Sequence, residues 1–248
     1  MAEPSPARRP PVWLRPEAPS APFGPGGPLS LHRIVTAAVA LADAEGVDAV
    51  SMRRVAGELG SGTMSLYRHV ATKNELLDLM VDEVVDECWP AEPPTGQWRA
   101  DLRAMAMVER QVMLRHPWMV PLVASRPPLG RNVLRRTEYM LGLVDGLGLS
   151  IDQMAGFVGV VSAYVRGVVF THLATAEEQR RSGMDEDAWR GAAGPYLREL
   201  VAGGGFPLVR RFMIEADDHP DPEKLFEDGL DCVLDGLETR LARIQAAD

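Results

Sequence analysis

A chain of 248 residues with 46% hydrophobic side chains can bury one large core or two ordinary ones. No run of about eighteen uncharged apolar residues and no apolar leader occurs, which argues against a membrane span and a secretory signal. The net charge of −9 counts against a polyanion partner only if the acid is evenly spread. It is not. Residues 30–73 hold Arg33, Arg53, Arg54, Arg68 and Lys73 against Asp43, Glu45, Asp48 and Glu58, so the acidic surplus belongs to the rest of the chain. Lys73 and Lys224 are the only lysines, an arginine bias that fits a GC-rich bacterial genome.

Residues 1–29 hold nine prolines and no apolar period, so they read as a disordered arm. Arg8, Arg9 and Arg15 suit either a solvated tail or a basic arm along DNA. The first predicted helix opens at Ser30, carries Ile34, Ala37, Ala38 and Leu41 on one face, and stops at Gly46. A second starts at Ser51, with Val50 and Val55 placed as a hydrophobic staple, and breaks at Gly60. A third runs from about Gly62 to Val70. Thr72 and Glu75 then form a capping box for a linking helix over 73–89, with Leu76, Leu77, Met80, Val81, Val84 and Val85 on one face. Further helices are predicted over 97–115, 117–125, 131–147, 151–175, 185–202, 207–215 and 222–245. Asp221 caps the last of these and Pro222 occupies its first turn.

The segment 51–70 satisfies the spacing rules of a helix-turn-helix. Ala56 is small enough for close helix approach, Gly60 tolerates a positive φ, and Val55, Leu59 and Leu66 lock the pair. The start of the second helix then presents Thr63, Met64 and Arg68, flanked by Ser65, Tyr67 and His69. Arginine pairs with guanine, methyl groups suit thymine, and hydroxyls suit phosphates. Arg53 and Lys73 suit backbone phosphates or a solvated surface, and Tyr67 suits DNA or packing on the first helix.

SMRRVAGELGSGTMSLYRHVATKNELLDLMVDEV at 51–84 resembles the DNA-binding domain of the tetracycline-repressor family, the LYRHV..K.ELL string most specifically. RHPWMVPLVASRPPLGRNVLRRTEYMLGLVDGLGLS at 115–150 and FEDGLDCVLDGLETRL at 226–241 are similar to that family's C-terminal domain. The fold expected is all-α: a three-helix helix-turn-helix domain over 30–75, then a larger helical ligand-binding and dimerisation domain over 90–248. The resemblance implies a homodimer on a palindromic double-stranded DNA operator, released by a small-molecule effector.

Gly159 and Ala163 in the 151–175 helix, with Leu230, Leu234, Leu237 and Leu241 in the last, fit a four-helix dimer interface or an intramolecular pair. Met105, Met113, Trp118, Tyr139, Tyr164 and Phe170 lie on helices that enclose the ligand in related proteins, and suit a largely apolar effector or plain core. The resemblance also directs attention to His116, His172, Glu177 and Glu178 as magnesium–drug ligands. The sequence departs from that pattern, with Leu122 and Trp89 where histidines are expected, so no metal and no cofactor is predicted. Cys88 and Cys232 read as free thiols of a cytoplasmic protein rather than a disulfide. No catalytic motif occurs, and the glycines at 203–205 read as a hinge. The competing reading is a helical carrier or enzyme with a vestigial DNA-binding domain.

Overall fold

The computed structural model describes Trp13 and residues 29–125, 129–216 and 221–246. The expectation of a disordered arm therefore falls, apart from Trp13 and Leu29, outside the described residues. Eleven α-helices are formed among them. Three short elements build the reader: α1 (Leu31–Glu45), α2 (Met52–Glu58) and α3 (Thr63–His69). Ser30 and Ser51 cap α1 and α2, each hydroxyl accepting from the N–H three residues on. Ile34, Val50, Val55 and Leu66 are fully buried where the three helices meet.

The next helix, α4 (Lys73–Val85), connects the reader to the body. Thr72 accepts from the Glu75 N–H, but the Glu75 carboxylate reaches back to the N–H of Ala71 rather than Thr72. The capping box is thus shifted by one residue. The helix also ends four residues before the expected 89, with the 86–88 segment in turns.

The body comprises α5 (Trp98–Arg115), α6 (Met119–Ser125), α7 (Arg131–Gly142), α8 (Ile151–Ser182), α9 (Glu186–Ala202), α10 (Pro207–Glu215) and α11 (Pro222–Gln245). Helix α7 stops five residues short of its expected end, and the following turns use Gly146 and Gly148 at φ 76° and 77°. Helix α8 runs two turns beyond its apolar period. Glu177–Arg180 and Glu178–Arg181 pairs support that extension, and Gly183 ends it in the left-handed conformation.

Helix α8 is the one helix among the described residues long and apolar enough to cross a membrane. Its apolarity divides into two faces. Phe157, Val161, Val165 and Val169 are buried against the body, whereas Gly156, Gly159, Ala163 and Gly167 form an exposed stripe. Helix α11 is zipped to α5 by Arg99–Asp235, Arg103–Asp231, Arg103–Glu227 and Arg110–Glu223 pairs. The exposed members of this ladder contribute little each. Arg110 is nearly buried, bonds Glu223 through both nitrogens, and lies 4.7 Å over the Phe226 ring.

Candidate DNA interface and regulatory body

The turn between α2 and α3 is built from hydrogen bonds the sequence dictates. Gly60 takes φ 59°, which lets Ser61 N–H reach Ala56 O at 2.9 Å and Gly60 N–H reach Gly57 O at 3.0 Å. This is a Schellman closure, and it fixes the angle at which α3 leaves. Ala56 is 2% exposed beneath it. On the outer side of α3, Met64, Tyr67 and Arg68 are exposed, with Thr63, Ser65 and His69 partly so. Arg53 and Lys73 are exposed at the flanks, one on α2 and one at the first turn of α4. Thr63, Met64, Tyr67 and Arg68 share one face of α3, Ser65 and His69 lie round its other side, and Arg53 and Lys73 are exposed on the neighbouring helices. Burial and the Arg68 guanidinium lower the His69 pKa, so this ring is neutral at physiological pH.

Reader and body are joined by polar contacts between residues far apart in sequence. His116, the C-cap of α5, is buried; its Nδ1 lies 2.7 Å from Asp43 Oδ1 of α1, and its Nε2 lies 3.4 Å from the Glu87 carboxylate after α4. Trp118 donates its indole N–H to the same Asp43 oxygen at 2.7 Å. Asp82, on α4, accepts from the N–H of Val133 at 3.0 Å, and the Asn132 side chain donates to its carbonyl. Asp82 therefore caps the N-terminus of α7 from a different helix. Burial pushes the Asp82 carboxyl pKa up, while the backbone N–H groups of Val133 and Asn132 oppose that shift.

Gly130 makes the arrangement possible, because a Cβ there would stand 2.0 Å from Asp82 Oδ1. Gly130→Ala is expected to expel this cap and lower stability by about 1–2 kcal/mol. Thermal unfolding of the variant beside Asp82→Ala checks this. Similar losses support the shared cap, and an unchanged midpoint for Gly130→Ala refutes it.

The six predicted ligand residues take different settings. Met105 and Met113 are buried in the core on one face of α5. Tyr139 packs edge-on against Trp89, ring centres 5.3 Å apart. Tyr164 donates its hydroxyl to Phe226 O at 2.8 Å, tying α8 to α11. Trp118 and Phe170 line a separate cleft of about 710 Å³ between reader and body. The interface expectation also needs correction. Leu230 and Leu234 have no exposed surface, and Leu237 and Leu241 are less than 9% exposed, because they seat α11 on its own subunit. Each such burial contributes about 1.5–3 kcal/mol. Gly159 and Ala163 do stand exposed on α8, and Cys232 and Gly236 stand exposed on the outer side of α11.

The sequence reading missed the polar heart of the body. Glu109 is 4% exposed, accepts from Arg136 Nη2 at 2.5 Å and from the Ser162 hydroxyl at 3.1 Å, and so joins α5, α7 and α8. No local pattern marks partners 27 and 53 residues away. Glu177 and Glu178 pair with arginines of their own helix, and no cluster of three metal-ligating side chains occurs among the described residues. Burial raises the Cys88 thiol pKa to about 11, so it is protonated and unreactive, while Cys232 is an exposed free thiol.

Residues 34–80 match the family described as bacterial regulatory proteins, tetR family, and residues 89–241 match the tetracyclin repressor-like C-terminal domain. The HTH-type transcriptional repressor DrrR1 of Streptomyces coeruleorubidus is 42% identical over 89% of this chain and 81% of its own length. The class A tetracycline repressor from transposon 1721, from Escherichia coli, is 28% identical over 86% of this chain and 92% of its own. The crystal structure of ActR from Streptomyces coelicolor with actinorhodin superposes at a TM-score of 0.71, with 32% identity over 87% of this chain and 99% of that one. A helix-turn-helix reader on a helical body, matched over both parts, places the chain in the TetR family of bacterial transcriptional regulators.

Proposed function

We propose that the protein is a cytoplasmic, non-enzymatic repressor that binds a palindromic operator as a homodimer and leaves it when a small, largely apolar effector enters the body. The observation that carries this reading is the exposed outer face of α3, held by a rigid turn and connected to the body through Asp43–His116–Glu87 and Asp82–Val133. Repression is supported by the relatives named repressors, and effector binding by the ActR structures with actinorhodin and (S)-DNPA. Met105, Met113, Tyr139 and Tyr164 remain the residues assigned to the effector's surroundings, with Glu109 as the polar group among them.

A second copy of the chain is supported by two exposed surfaces. One is the small-residue stripe of α8 beside Cys232 and Gly236 of α11. The other is the α9–α10 hairpin, where Trp189, Tyr196, Leu208, Phe212 and Ile214 are more than half exposed and no residue is buried. Gly159→Arg is expected to convert the dimer to monomer and reduce operator affinity by at least about a hundredfold, since both half-sites then bind separately. Sedimentation and fluorescence anisotropy on DNA upstream of the protein's own gene measure the two effects. No preference of the wild type for any such DNA over random sequence at physiological salt would refute the repressor reading.

A further inference from the structure

The cleft between reader and body has a composition of its own. The reader side is the last turn of α1 and the turn after it, with Asp43 and Asp48; the body side carries Trp118, Phe170, Leu173 and Glu177. Phe170 is 59% exposed, so its ring faces the opening rather than its own core. Helix α1 points its C-terminal end into the same space, and its last turn holds no basic residue to offset the negative pole. Arg180 is the cation of the lining, and it pairs with Glu177. Asp43 is held in the lining by His116 and Trp118, both of which meet its Oδ1 at 2.7 Å.

We propose that this cleft binds an aromatic organic cation, its charged centre near Asp43 and Asp48 and its rings against Phe170 and Leu173. Aromatic faces and carboxylates both favour such a charge, whereas an anion meets repulsion and a neutral apolar molecule would desolvate the acids without return. The site is separate from the body positions assigned above to the apolar effector. Because one wall belongs to the reader and the other to the body, an occupant touching both biases their relative placement. Only this effect on DNA rests on the repressor reading; occupancy of the cleft does not.

Titration calorimetry of the full chain, free of DNA, with tetraphenylphosphonium and with the isosteric anion tetraphenylborate decides the matter. The expected result is saturable binding of the cation at one site per subunit, weakened about tenfold by Phe170→Ala and by Asp48→Asn. Both are surface changes for which the unfolding midpoint should stay in place. Tetraphenylborate should bind weakly, and its affinity should not fall in the variants. Absence of saturable cation binding, equal affinity in wild type and both variants, or tighter binding of the anion would each overturn the proposal. Anisotropy on operator DNA, run in parallel, reports the regulatory consequence: failure to bind any operator counts against the repressor reading, while the calorimetry judges the cleft independently.

Discussion

Glu109→Ala is expected to lower the unfolding free energy by about 3–5 kcal/mol, because it strips a nearly buried arginine of its counter-ion. Arg136 retains only 17% side-chain exposure in the folded body and donates to Glu109 at 2.5 Å. Without the carboxylate its charge keeps little water and loses its ion-pair partner, and the Ser162 hydroxyl loses its acceptor as well. Glu109→Gln keeps the shape and one acceptor but not the charge, so it should fall between the alanine variant and wild type. Urea unfolding followed by circular dichroism measures both. A loss below about 1 kcal/mol for Glu109→Ala would mean that the pair behaves as a surface pair despite its burial. The carboxylate shares a face of α5 with Met105 and Met113, so the same variant removes the charged group closest in register to the proposed effector surroundings.

In the reader, the expected effects separate by role. Lys73→Ala should weaken binding almost equally on all sequences and reduce the slope of log affinity against log salt by about 0.9, one phosphate contact having been lost. Tyr67→Ala should also weaken binding without unfolding the body, since Tyr67 is 40% exposed. Arg68→Ala and Thr63→Ala should instead change which base is preferred at one position, by about 1–3 kcal/mol each. Competition binding with operator variants, measured at two salt concentrations, distinguishes these outcomes. Should all four variants keep wild-type affinity and preference, α3 would not be the recognition helix.

What was legible in the chain was local. Ser30, Ser51 and Asp221 are caps because a short side-chain acceptor sits just before an apolar period, and all three accept as expected. Gly60 was legible because the turn requires a positive φ, and the turn formed there by the hydrogen bonds described. The boundary errors have local causes too. Glycines after Gly142 ended α7 early, and ion pairs at i,i+3 carried α8 past the end of its apolar pattern. At the Thr72 cap the rule found the right residues, but the Glu75 carboxylate chose the Ala71 N–H.

What was not legible depended on which faces meet. The leucine stripe of α11 is visible as a stripe, but a stripe does not say whether it meets its own chain or another. Burial of Leu230, Leu234, Leu237 and Leu241 settled that, with the nearly buried Arg110 pairing Glu223 beside them and Cys232 and Gly236 left outside. His116, first weighed as a metal ligand, became the joint between reader and body because folding brought Asp43 and Glu87 to it. The sequence alone determined the reader: its three helices, its turn and the side chains of its outer face, all set by contacts within some forty residues. Tertiary structure decided the rest. Burial and charge pairing across 27 to 139 residues of chain chose the inward face of α11, the Glu109 centre and the Asp82 cap, and left an acidic, aromatic cleft between the two parts.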